Sequence, residues 1–175
     1  MSQLAVYTVR PLVPLLFARP ITFAHPEDET KPEKLMLRCF LSPGDIVTLT
    51  AAVRDLHLSF PGRFLTDVQT PCPAFWENSP YITHLDPEDP EVVIVPCEYP
   101  LIHSSNQLPY HFIHGYRMFL SDMLGVHTRP FAFKGDIHVS DLEKSWLSQV
   151  GEITGDPESR FWIIVSGGKK DFTAK

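Results

Sequence analysis

The sequence predicts an α/β domain built on a parallel sheet. Three observations point there. Short apolar runs of strand length alternate with helical patterns, most plainly over residues 35–69, where a strand, a loop, a helix and a second strand follow one another. The elements are closed by turn residues, Ser42-Pro43-Gly44 after the first strand-like run and Pro61-Gly62 after the helical pattern. The 17 prolines in 175 residues are too many for a helix bundle but suit a protein of many short loops and helix starts.

Taken in order, residues 1–33 are irregular: Pro11, Pro14 and Pro20 interrupt two β-like pieces, and the polar, proline-flanked residues 25–32 read as a linker. They are expected to form an N-terminal extension. The run Leu35-Met36-Leu37-Arg38-Cys39-Phe40-Leu41 has the length and apolar character of a buried parallel strand. A helix opens near Asp45, with Leu49, Val53, Leu56 and Phe60 on one face, and Pro61-Gly62 stops it. Residues 63–69 read as the second strand. Residues 73–78 suit a short helix and residues 81–85 a short strand, and the β-branched run Val92-Val93-Ile94-Val95-Pro96 is the next strand.

The clearest helix carries Phe112, Ile113, Tyr116, Phe119, Leu120, Met123 and Leu124 at helical spacing, a stripe that reads as core, with Gly125 to end it. Residues 131–139 are extended around a Lys134-Gly135-Asp136 turn. Residues 140–150 read as one helix, with Ser140 and Glu143 in capping-box spacing. The run Phe161-Trp162-Ile163-Ile164-Val165 reads as a buried strand, followed by Gly167-Gly168 and two lysines. Such a strand needs neighbours and normally leads into a helix. The expectation is a fragment: an extension over residues 1–33, a main domain over 34–159, and the start of a second α/β domain over 160–175.

Composition narrows the function. With 43% hydrophobic and 21% charged residues the chain has the make-up of an ordinary globular protein. A net charge of −6 with scattered Lys and Arg lacks the basic stripe of a nucleic-acid surface. Three cysteines (Cys39, Cys72 and Cys97) without a CxxC pair give neither a disulfide framework nor zinc spacing. No apolar run approaches the roughly 20 residues of a spanning helix, and the N-terminus lacks signal-peptide features. A cytoplasmic location is expected.

The run from Ser42-Pro43-Gly44-Asp45-Ile46-Val47 to Phe60-Pro61-Gly62 resembles the opening of glycosyltransferase family 9, the ADP-heptose:lipopolysaccharide heptosyltransferases. Glu77-Asn78-Ser79-Pro80-Tyr81-Ile82 is similar to that family's segment before a short strand. Trp162-Ile163-Ile164-Val165-Ser166-Gly167-Gly168 with its lysines is similar to the first strand and loop of its donor domain. The resemblance spans roughly residues 35–175. The extension and Pro43 depart from the family pattern.

The resemblance implies a Rossmann-like, acceptor-binding N-terminal half of a two-domain GT-B enzyme. It implies inverting, metal-independent transfer of a sugar, heptose by this likeness, from a nucleotide-diphosphate donor such as ADP-heptose. The acceptor would be a glycan or a lipid-linked molecule, which adds a peripheral contact with the inner face of the membrane. No bound cofactor is expected, no nucleic-acid partner, and no turnover by these 175 residues alone.

Inverting transfer needs a base to take the acceptor hydroxyl proton. Asp45 falls at the carboxyl end of a strand, where open α/β sheets build sites. The resemblance implies that Asp45 is the base; the plainer reading makes it a helix cap. Gly44 beside it would let an acceptor approach the backbone. Diphosphate departure needs cations or backbone N–H groups. Gly167, Gly168, Lys169, Lys170 and Lys175 could supply both, or form a solvated basic tail; Lys175 most resembles the family's phosphate-contacting lysine. His103, His111 and His114 have no carboxylate or cysteine at metal-ligand spacing, so they line the acceptor cleft or cap the helix. Arg117 would meet an anionic acceptor or make a surface salt bridge, and Glu98 is a further cleft candidate. The alternative function is a non-enzymatic Rossmann-like binding module.

Overall fold

The computed structural model describes residues 21, 31–97, 111–146 and 148–164. The chain divides into two compact units, one ending at His138 and the other beginning at Val139. The first is an α/β arrangement: a three-stranded parallel sheet of β1 (Glu33–Arg38), β2 (Phe64–Gln69) and β3 (Val92–Pro96), in the order β2-β1-β3. β1 is central because its alternate residues Leu35 and Leu37 are wholly buried and bring Thr66 and Val93, then Val68 and Val95, into register beside them.

Among the described residues this unit has two α-helices, α1 (Pro43–Ser59) and α2 (Ile113–Leu124). They share one core with the Leu35–Leu37 face of the sheet. α1 gives it Ile46, Leu49, Ala52, Val53 and Leu56, and α2 gives it Tyr116, Phe119, Leu120 and Leu124. Full burial of a leucine or phenylalanine side chain contributes about 1.5–3 kcal/mol, so this face dominates the unit's stability. The opposite face is more polar. There Lys34 pairs with Asp89 at 2.6 Å and Glu91 at 2.9 Å, and Arg38 Nε donates to Gln69 Oε1 at 2.6 Å across the β1–β2 pair. Both described long helices therefore serve one face of the sheet, yet Met36 on the other face is buried too, so β1 is the buried strand that its apolar run predicts.

The expected punctuation holds at both helix ends. Gly62 and Gly125 take left-handed backbone, φ 76° and 62°, the conformation a residue with a Cβ adopts only under strain. The weaker expectations shrink. Residues 73–78 give only a single 3-10 turn at Pro73–Phe75, and residues 81–85 give one parallel bridge, Ile82 to Thr66.

In the second unit Ser140 Oγ accepts the Glu143 N–H at 3.1 Å while Glu143 Oε2 accepts the Ser140 N–H at 2.7 Å, the capping box the spacing predicts. The single helix expected over residues 140–150 is not formed. It is two pieces, α3 (Asp141–Lys144) and α4 (Gln149–Thr154). Ser145 Oγ bonds back to the Leu142 carbonyl at 2.6 Å, and Ser148 starts a fresh helix by accepting the Gly151 N–H at 2.9 Å. Serine side chains compete with the helix ladder for backbone groups. The buried strand expected over residues 161–165 is also corrected. Residues 161–164 form no strand, and Trp162 is 94% exposed and Ile164 86%. An apolar run becomes a buried strand only where neighbours pair with it, and no described residue does.

Candidate functional site

The carboxyl edge of the sheet is built by the residues that follow each strand. Cys39 follows β1 and Cys97 follows β3. Their N–H groups continue the ladder, Cys39 to the Gln69 carbonyl at 3.0 Å and Cys97 to the Arg38 carbonyl at 2.7 Å. Both thiols are buried under α2, where Tyr116 Oη lies 3.8 Å from Cys39 Sγ. Burial, with Cys39 nearby, pushes the Cys97 thiol far above its ordinary range, so it is an inert core group. Burial likewise raises the Tyr116 hydroxyl, and the nearby Cys39 and Asp45 add to the effect.

Asp45 stands in the first turn of α1, above this layer. Ser42 occupies the N-cap position in extended conformation, and both its N–H (3.2 Å) and its hydroxyl (2.6 Å) donate to Asp45 Oδ2. The half-buried carboxylate is thereby fixed at a helix N-terminus. Oδ1 receives no hydrogen bond from a described residue. Gly44 is exposed, and a Cβ built there would meet nothing within 4 Å.

The α2 candidates lie apart from Asp45 in role. His111 precedes the helix; its Nδ1 accepts the Ile113 N–H at 3.3 Å, a cap, and its ring packs 4.4 Å from Phe133. His114 lies 5.6 Å from the same ring. Burial, then the Arg117 charge, lowers the His114 imidazole below its ordinary value. Arg117 turns inward: Nη1 donates to the Thr128 carbonyl at 2.6 Å, while its buried Nε has no partner among the described residues. Glu98, His103, Gly167, Gly168, Lys169, Lys170 and Lys175 lie outside the described residues.

A second polar constellation escaped the sequence reading. Arg54 and Asp55, 5% and 4% exposed, pair through two hydrogen bonds to Asp55 Oδ1, Nε at 3.0 Å and Nη2 at 2.8 Å. Arg54 also donates to the carbonyls of Lys134 (3.0 Å) and Ala132 (2.8 Å), and Asp55 accepts the Phe131 N–H at 3.3 Å. Asp136 lies 3.5 Å from Arg54 and 2.8 Å from His138 Nε2, and its N–H donates to Thr50 Oγ1. Tyr81 stands edge-on to His138, and on its other side meets His57, which bonds Thr66 Oγ1 at 2.9 Å. The group straps residues 129–138 along the outer side of α1. The Arg-Asp pair within α1 was the available signal, but adjacent charges on a helix usually face water.

Among the described residues no three His, Cys, Asp or Glu side chains converge on a metal position, and no helix is long and apolar enough to cross a membrane. No family model, curated protein or solved structure matches the chain.

Proposed function

We propose that this chain is the acceptor-binding part of an inverting glycosyltransferase that moves a sugar, heptose by the resemblance, from a nucleotide-diphosphate donor to a glycan or lipid-linked hydroxyl, with Asp45 as the base. One observation carries this reading. Asp45 follows the middle strand of a parallel sheet, where α/β sheets place reacting groups, with one carboxylate oxygen anchored by Ser42 and the other open. An anchored carboxylate with a free lone pair is what proton removal from an acceptor hydroxyl requires. The adjacent Gly44 leaves backbone open to the acceptor. Donor binding is assigned to Gly167, Gly168, Lys169, Lys170 and Lys175, and no metal is needed where lysines and backbone N–H groups stabilise the leaving diphosphate.

A binding module without catalysis is favoured by a different observation, that Ser42 already uses the Asp45 carboxylate as a cap. Sugar transfer from ADP-heptose, measured on the protein as its natural gene encodes it, separates the two. Asp45→Asn keeps a capping oxygen but lowers basicity. It should reduce turnover by about 10²–10⁴-fold with little change in stability. Unchanged turnover removes Asp45 as the base, and absence of transfer by the unsubstituted protein leaves the binding module.

A further inference from the structure

The amino edge of the sheet, opposite Asp45, carries an open cleft of about 590 Å3 between the end of α1, the approach to β2 and the chain that leaves α2. Its volume suits a small molecule. Its lining combines aromatic rings, Phe60 and Phe131, with the cationic side chains Arg63 and Arg129, and includes no carboxylate. That combination stands out in a chain of net charge −6.

The two arginines are held differently. The Arg63 guanidinium lies over Phe60 and Phe64, 5.5 and 5.2 Å from the ring centroids, which fixes its plane, and it reaches Glu33 only at 3.4 Å. The Arg129 backbone N–H donates to Ser59 Oγ at 2.9 Å, anchoring the residue at the rim. Its guanidinium has no partner among the described residues. The Ser59 hydroxyl, which accepts that bond, keeps its own proton to donate. Phe131 is 51% exposed and offers a flat wall beside these donors.

Helix dipoles oppose an anion here. α1 and α2 both end at the cleft, and two helix C-termini amount to about one negative charge. They offset about one of the two guanidinium charges, and Glu33 shares Arg63. The cleft is therefore no general anion trap. Any anion must be held by directed hydrogen bonds from Arg129 and Ser59 and by a ring that stacks on Phe131.

We propose that this cleft binds a small phosphorylated aromatic molecule, its phosphate on Arg129, Ser59 and Arg63 and its ring against Phe131. Guanidinium forks match phosphate oxygens, and a planar ring matches the exposed aromatic wall. The site is separate from the Asp45 edge and stands or falls independently of it.

The test is titration of the full chain with phenyl phosphate, with inorganic phosphate and phenol as the two halves of the ligand, followed by amide shifts of residues 58–63 and 125–131. Phenyl phosphate is expected to bind more tightly than either half. Arg129→Ala should weaken it by about tenfold or more, since a charge-assisted hydrogen bond is lost. Arg63→Lys should weaken it less, and Asp45→Asn should leave it unchanged. Arg129 is exposed, so its removal does not threaten folding, and an unchanged urea midpoint confirms that. Equal affinity for inorganic phosphate, no shift at millimolar phenyl phosphate, or an unaffected Arg129→Ala variant would each overturn the assignment.

Discussion

Asp55→Ala is the most demanding test of how the first unit is held together. Asp55 and Arg54 are both more than nine-tenths buried, so solvent screening does little to weaken their pairing. Asp55 Oδ1 accepts from Arg54 Nε, Arg54 Nη2 and the Phe131 N–H. Removing it leaves a guanidinium in the interior with two carbonyls and Asp136 at 3.5 Å as its remaining support. Breaking a buried pair from one side costs about 3–5 kcal/mol. Total stability is about 5–15 kcal/mol, so the loss is a large share of it. With a denaturant slope of about 2 kcal/mol per M, the urea midpoint should fall by roughly 1.5–2.5 M. The fluorescence of Trp76, buried in the same core, reports the transition. A second variant isolates the charge. Asp55→Asn still accepts the Phe131 N–H, and combining it with Arg54→Met removes both charges. The double variant should be less destabilised than the sum of its singles by more than about 1 kcal/mol, because the uncompensated cation is gone. Additive losses, or an Asp55→Ala cost below about 1 kcal/mol, would refute the pairing as a structural strap.

The remaining predictions follow the same geometry. Gly44→Ala meets no neighbour within 4 Å, so stability should stay level or rise by less than about 1 kcal/mol, while transfer activity should fall if an acceptor packs on that backbone; thermal melting and turnover separate the two effects. At Gly135 an added Cβ would lie 2.6 Å from Val47 Cγ1 and 3.2 Å from the Val47 carbonyl oxygen, so Gly135→Ala should cost about 1–3 kcal/mol and weaken amide protection at Asp136, measured by hydrogen exchange. Lys31, then Lys34, hold the Glu91 carboxyl down to about 2, so its side-chain carbon shift should titrate near that value and move upward in Lys31→Met. A carboxyl depressed by folding stabilises above its unfolded value and loses that contribution as pH falls from about 4.5 towards 2. The opposite class is His57, whose imidazole burial holds below its ordinary value. The unfolded chain then binds more protons, so stability should drop as pH falls below about 6.5, and His57→Gln should flatten that slope in pH-dependent melts.

What the sequence made legible follows from which forces act locally. β1, α1, β2, β3 and α2 were all readable because each is a run of apolar residues at its own period, closed by glycine or proline. The Ser140–Glu143 capping box was readable because it spans four residues. The misses are non-local. Residues 161–164 have the composition of a buried strand, yet nothing in four apolar residues specifies a partner strand, and among the described residues they have none. The helix over residues 140–150 failed because Ser145 and Ser148 make local bonds that periodicity ignores. The strap across α1 was invisible for a further reason. Arg54 finds its carbonyls at Ala132 and Lys134, nearly eighty positions away, and no spacing rule reaches that far.

In the proposed mechanism Asp45 satisfies a local rule and a functional one together. Cap and base are usually weighed as rivals, because a carboxylate bonded to its own helix is occupied. Here the cap uses one oxygen: both Ser42 donors converge on Oδ2. A carboxylate offers about four lone-pair sites, so an acceptor hydroxyl could still address Oδ1. The cap also removes the rotational freedom that a base must otherwise lose when substrate binds, at a cost for a short side chain of well under about 2 kcal/mol. In the proposed mechanism Ser42 is therefore a positioning residue. Ser42→Ala removes the hydroxyl but keeps the backbone N–H on Oδ2. Turnover should fall only several-fold, as a lower kcat with KM nearly unchanged, because the base is less well placed while the acceptor still binds. If Ser42 were a cap and nothing more, the variant would lower the melting temperature and leave kcat unchanged.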